Sequence, residues 1–516
     1  MHRGGGEPGR PPRAARPAQR AGPLVDRRVH VGPCLRFHPG LPGRNPRAMI
    51  GERLRGNKAH PFILLGAVGL AYLNAFAGAF QFDDYNVIVE AQAVQSWASW
   101  WHDLSQSIRP LLKASYTLNW TSGAGLFGFH LVNLLVHAGN VLLVYTLSRR
   151  ILANTEAVRA DLVAGASLLT SLLFALHPVQ TEAVTYVSGR SASLMTLFYL
   201  ASLLTYVRGC EGQQSWRMAS LSPFFFLCAL AVKETAVTLP AALLLWELTV
   251  RTDRASWGTI LRRQAAHWLL LIAALGLLLL HPRYEWLLGV SLGARSLGDN
   301  LLTQIHGIAY LLSQVLWPNQ LNIDPDLPVI TSWTSGLTAE AIGLALLAAL
   351  GLVNLPRRPW LAFGILWFML QLLPTNSVLP RLDVANDRQL YLAGWGLFLG
   401  GVVALVKLLA RGLASVGEGY GSYFIRRVGL TAAALLLPLL LGWMTIERNA
   451  DYRTEIALWE QTVSLSPNKP RAWNNLGYAY FLAGRQTEAR EAYQTALRLD
   501  PRFALADNNL ALLTLQ

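Results

Sequence analysis

Two adjacent acids, Asp83 and Asp84 in AFQFDDYN, stand directly after the first long apolar run of the chain. A carboxylate pair at a membrane surface can accept a hydroxyl proton, or hold a divalent ion, while one member stays ionised. Two acids can equally mark only the end of a span. Further along, His177 precedes Pro178 in LHPVQTEAVTYVSGR, and Glu182, Tyr186 and Arg190 recur every four residues. One helix would aim that acid, phenol and base in the same direction. The alternative is a local helical network running from Glu182 to Arg190. Lys233 and Glu234 in VKET read as a self-neutralising turn. Arg381, Asp383, Asp387, Arg388 and Tyr391 form a denser cluster, in which Arg suits phosphate because its planar fork meets two oxygens at once.

Two further patterns are read as structural. His130, Asn133, His137 and Asn140 share one stripe of a span, and hydrogen bonding between helices accounts for them without a metal. Trp97, Trp100, Trp101 and Leu104 share a helical face suited to anchoring in the headgroup layer.

The elements that must position these residues are membrane helices. The chain is 53% hydrophobic and 14% charged, with 17 Trp, a composition far more apolar than a soluble protein needs. Runs of the ~20 residues that cross a bilayer fall near 61–80, 129–147, 161–177, 191–207, 217–232, 235–250, 266–281, 336–354, 359–374, 391–409 and 428–446. The fold class expected is all-α, with about 11 transmembrane helices.

Basic residues mark cytoplasmic loops. Those at Arg149 and Arg150, Arg208 and Arg217, Arg251 to Arg263, Arg357 and Arg358, and Arg426 and Arg427 share one side if the polar segment 300–317 is a tilted, re-entrant or interfacial helix. The candidate chemical loops then all lie on the opposite, non-cytoplasmic side.

Of the net charge of +14, ten units lie in residues 1–60, so no nucleic-acid partner is expected. Residues 1–58, rich in Pro, Gly and Arg, read as a disordered leader, and Met49 is the more ordinary start for a membrane protein. Cys34, Cys210 and Cys228 fall in different compartments, so no disulfide is expected. Residues 59–448 make the membrane domain and residues 449–516 a tetratricopeptide region. In the latter, Trp473, Leu476, Gly477, Tyr480, Ala489, Tyr493, Ala496 and Pro501 stand at the repeat spacing. One full repeat flanked by two partial ones is a short stack, expected to lean on the membrane domain or on a partner protein.

Taken in order, FDDY, RPLLKASYTLNW, GFHLVNLLVHAGN, LHPVQTEAVTYVSGR, VKET and NDRQLYLAGWG resemble the membrane glycosyltransferases of the C-type fold, specifically the transmembrane and tetratricopeptide proteins related to protein O-mannosyltransferases. The resemblance covers residues ~60 to 516 and rests on motif order. It implies a polyprenyl-phosphate-linked hexose, such as mannose, as donor, and a hydroxyl of a protein or glycan as acceptor. Transfer would proceed by inverting displacement at the outer face of a bacterial cytoplasmic membrane or, in a eukaryote, of the endoplasmic reticulum.

It also implies Asp83 as general base with Asp84 as partner, Glu182 as second acid, and Arg388, Lys233 and Arg190 at the donor phosphate. Arg109, His177 and Tyr391 complete the candidates. No metal site is assigned, although a divalent ion is left open. A non-catalytic scaffold whose repeats recruit partners is the alternative. A transporter fits less well, because the charges gather at one face instead of the midplane.

Overall fold

A hydrocarbon layer of ~30 Å asks for about 20 residues of helix at 1.5 Å each, and six helices meet that demand alone. They are Ala59–Ala77, Gly125–Asn154, Val187–Cys210, Trp257–Leu280, Ser335–Val353 and Asp387–Arg411. The computed structural model describes residues 57–211, 215–251, 255–414 and 420–514, and all their regular elements are helical. Most of the leader, with Cys34 and Met49, lies outside the described residues. Those described belong to one unit, residues 47–516.

Against the eleven crossings expected, six helices among the described residues are long and apolar enough to cross alone, or seven if Ala160–Leu176 and Pro178–Val184 are one span bent by 53°. Pro178 causes that bend: it has no N–H for a helical bond and forces His177 before it into extended backbone, φ −73 and ψ 129. Elsewhere the apolar runs end too soon. The run expected at 235–250 is helical only over Leu239–Thr249, behind a tight turn at Glu234–Thr238. Pro359–Leu372 has 14 residues, or about 21 Å. The run 428–446 lies inside the Tyr420–Ala450 helix, whose first side chains are outside the described set. The awkward segment 300–317 is a helix, Leu297–Leu316, that buries Asn300, Thr303, Gln304 and Gln314 along one face.

Breaking a helix at membrane depth frees backbone carbonyls that need new donors. The polar stripe of Gly125–Asn154 supplies them. Asn133 Nδ2 donates to the Val184 carbonyl at 3.0 Å and Asn140 Nδ2 to that of Ser193 at 2.8 Å. His137 lies 3.2 Å from the Ala175 carbonyl and 2.7 Å from the Tyr391 hydroxyl, while His130 reaches the Gly78 carbonyl at 3.2 Å. The stripe is therefore interhelical bonding that fixes the bent segment.

Pro359–Leu372 and Leu390–Ala414 cross backbone against backbone. A β-carbon on Gly364 would stand 2.6 Å from the Gly396 carbonyl, and one on Gly396 would strike the carbonyl of Gly364. Two buried tryptophans, Trp367 and Trp395, meet edge to face at 4.8 Å beside this crossing.

The repeat is the hairpin Pro470–Leu482 and Gln486–Leu499, flanked by Glu455–Leu465 and Ala504–Thr514. A β-carbon on Gly477 would lie 2.7 Å from the Tyr493 ring, which is why the signature needs glycine there. As expected for a short stack, it leans on the membrane domain. Arg471 pairs with Asp324 at 2.6 Å and Lys469 with the same acid at 3.2 Å, and Gln461 donates to the Leu321 carbonyl.

Gly364→Ala and Gly396→Ala are each expected to destabilise the purified protein by roughly 1–3 kcal/mol through overpacking. A thermal melt in detergent reads the loss. Parental midpoints for both would show that the two backbones do not pack this closely.

Candidate active site

Asp83 and Asp84 sit on the short segment between Ala59–Ala77 and the helical turn Tyr85–Val89, and it gives the two carboxylates opposite roles. Asp84 is fully buried. One of its oxygens accepts from the Gln81 N–H at 2.9 Å and the other from the Ser188 N–H at 2.7 Å. Its work is to join this loop to the bent segment. Asp83 keeps 39% of its side chain exposed and faces Arg388 Nη2 at 4.0 Å. Its own N–H donates to the Tyr186 hydroxyl at 2.9 Å.

Burial raises the Asp83 carboxyl above its usual range, and Arg388 restrains the rise. Burial pushes Asp84 further, to about 7, against the pull of the Gln81 and Ser188 N–H groups. An ion held between the two carboxylates does not fit this arrangement, because both Asp84 oxygens already take backbone donors. Among the described residues no three His, Cys, Asp or Glu side chains gather as metal ligands.

Glu182 comes from the short helix Thr181–Val184 after the Pro178 bend. It is 2% exposed. One oxygen accepts from the backbone N–H of Arg388 at 3.0 Å, and the other stands 3.1 Å from Arg388 Nε. Arg388 also lies over the Tyr186 ring, 5.8 Å from its centroid. Asp83, Glu182 and Arg388 thus meet, although 206 residues separate the second from the third.

Lys233 and Glu234 are not a self-neutralising pair. Arg109 takes Glu234, with its Nε and Nη2 at 2.8–3.1 Å from the carboxylate, and the Tyr284 hydroxyl donates to it at 2.7 Å. Although burial pushes the other way, Arg109 holds the Glu234 carboxyl down at about 2. Lys233 is left without a side-chain partner among the described residues. It lines a cavity of about 30 Å³ with Arg388, Gln389, Thr196 and Thr235. Burial, and then Arg388, Arg109 and Arg381, lower its ammonium well below the usual value. Arg381, likewise unpaired among the described side chains, is pressed in the same direction by burial and by Arg388. Lys233 and Arg388 line this pocket and no acid does, an arrangement with the charge to receive an anion.

Three candidates fall away. Glu182, Tyr186 and Arg190 do not share a helix, because a tight turn at Val187–Gly189 separates them, so the local 182-to-190 network is not formed either. Arg190 is wholly buried, bonded to Asn133 at 2.6 Å and to the Phe129 and Ser115 carbonyls, with its guanidinium over the Tyr116 and Phe129 rings. No face of it is free for phosphate. His177 caps the bend, accepting from the Val179 N–H, and its other nitrogen meets the Val315 carbonyl at 3.1 Å. Tyr391 spends its hydroxyl on His137 and Asn140. Of the charged cluster around it, Asp387 is buried and Asp383 turns to Arg471 at 2.6 Å.

Asp324 and Arg471 were not anticipated. Asp324 lies in an irregular loop and Arg471 ahead of the first repeat signature position, Trp473, so neither carries a periodic signal.

Residues 470–503 match the tetratricopeptide repeat family model. Along 88% of its length the chain is 28% identical to the protein O-mannosyl-transferase TMTC1 of Mus musculus, and along 88% it is 28% identical to TMTC1 of Homo sapiens. Protein O-mannosyl-transferase Tmtc3 of Drosophila melanogaster is 27% identical along 76%. These transferases are its homologues. The resemblance carried by the motif order therefore holds over most of the chain. The chain spans 59%, 56% and 48% of those three relatives.

Asp84 makes stability depend on pH. Between its usual 3.8 and about 7 the unfolded chain releases the proton while the folded one keeps it, so stability falls with rising pH, by up to about 4 kcal/mol. Asp84→Asn removes that slope. Its melting midpoint, compared with the parent's, is expected to shift in the variant's favour between about pH 5 and about pH 8. A shift the other way would show that Asp84 folds as the anion.

Proposed function

We propose that this chain is a membrane glycosyltransferase that moves a hexose, mannose by the names of its homologues, from a polyprenyl-phosphate donor to a hydroxyl of a protein. The observation that carries the reading is one exposed carboxylate, Asp83, facing Arg388, which lines a pocket together with the unpaired Lys233. Water-accessible base and anion site together are what a displacement at a sugar phosphate requires.

In this reaction the acceptor hydroxyl gives its proton to Asp83 as its oxygen attacks the anomeric carbon. The bond from that carbon to the phosphate oxygen breaks on the opposite side, so configuration inverts. The electron pair leaves with polyprenyl phosphate, whose charge Arg388, Lys233 and Arg381 receive. Glu182 orients Arg388 from both its backbone and its side chain. The homologues' names give a protein as acceptor. The Arg pattern of the loops supports a reaction and a repeat on the non-cytoplasmic side.

Asp83→Asn is expected to lower kcat by roughly 10²- to 10⁴-fold, with expression and melting unchanged, in transfer from polyprenyl-phosphate mannose to a serine- and threonine-rich protein. Full activity in that variant would show that Asp83 is not the base. Lys233→Met is expected to stabilise the donor-free protein, since it removes an unneutralised buried charge, and to raise donor KM by roughly 10- to 100-fold. A destabilised Lys233→Met with parental KM would show that Lys233 faces no phosphate.

A further inference from the structure

Phe82, the residue before the exposed acid, has φ +43. A side chain bearing a β-carbon takes that left-handed backbone only where its surroundings impose it. Here the surroundings come from beyond residue 450. The Phe82 N–H donates to Glu455 Oε1 at 3.3 Å, and its ring meets Trp459 edge to face at 5.3 Å. Just upstream, the Gln81 side-chain amide and the Ala79 N–H both donate to the Tyr452 carbonyl, at 2.9 and 3.2 Å. Tyr186, which receives the Asp83 N–H, shares one apolar cluster with Phe82, Tyr452 and Trp459. From the other side, Arg471 bridges Asp324 and Asp383, each at 2.6 Å.

We propose that the segment from Tyr452 to Arg471 is a positioning element of the active site: Glu455 and Trp459 hold Phe82 in its left-handed conformation and so set the Asp83 carboxylate, while Arg471 engages the neighbouring Asp383. This rests on the reading of Asp83 as base. The repeat is then coupled to the chemistry through two helices, Glu455–Leu465 and Pro470–Leu482, instead of being carried beside it. A protein bound to the repeat would bear directly on where the base stands.

The test uses the full chain in lipid nanodiscs with polyprenyl-phosphate mannose and an acceptor protein. Trp459→Ala and Glu455→Ala are compared with Trp459→Phe and Glu455→Gln, which keep a ring and a carbonyl acceptor, and with Asp83→Asn. Both alanine variants are expected to lose about 10- to 100-fold in kcat, with donor KM unchanged and faster amide exchange over residues 79–85. The Phe and Gln variants are expected to recover most of both.

Parental kcat in the alanine variants overturns the proposal, and so does unchanged exchange in the loop. Should Trp459→Ala fail to fold, Glu455→Ala, which removes one hydrogen bond at a partly buried position, decides alone. Loss of activity in Asp83→Asn with parental kcat in Glu455→Ala removes this proposal and leaves the base. Parental kcat in Asp83→Asn removes both.

Discussion

The pairing of Arg388 with Glu182 is the constraint on which the site depends. Neither charge would be tolerated alone away from water, where an uncompensated ion costs several kcal/mol. Glu182 accepts from the backbone and faces the guanidinium of the same residue, so Arg388 can neither rotate away nor shift along the chain without stranding the acid. Everything nearby follows from this. The Pro178 bend exists where Glu182 must leave the helical axis, the Gly125–Asn154 stripe repays the carbonyls that the bend sets free, and Asp84 stitches the first loop to the same segment. Asp83 is what remains accessible once these obligations are met.

The positive pocket sets folding against function. Strain of about 1–2 kcal/mol at left-handed Phe82 and the crowding of Lys233 by three arginines both count against the folded chain. The crowding of Lys233 has no structural beneficiary among the described residues. Features that lower stability without serving packing are the usual mark of a site shaped for something absent.

Much of this was legible beforehand, and what was not has definite physical causes. The repeat signature is legible because close approach at Gly477 and termination at Pro501 admit few residue types. The polar stripe is legible because helical periodicity places His130, Asn133, His137 and Asn140 on one face. The same periodicity misled at Glu182, Tyr186 and Arg190, where spacing of four promised a helix but Pro178 and the turn at Val187–Gly189 withdrew it. Crossing number was less legible for a related reason: hydropathy counts apolar residues without regard to the breaks that divide them among shorter helices. Ion-pair partners were opaque, since Glu234 beside Lys233 in sequence chose Arg109, 125 residues away.

The bond from Gln81 to the Tyr452 carbonyl joins positions 371 residues apart. Chains are made at about 5–20 residues per second, so the loop after the first helix waits roughly 20–70 seconds for its clamp to be synthesised. During that interval Phe82 has no reason to adopt its native backbone, and the acid beside it has no fixed address. The Asp83 loop is among the first parts made and among the last to take shape. A chain interrupted before residue 455 therefore holds Asp83 and Arg388, yet lacks the means to align them.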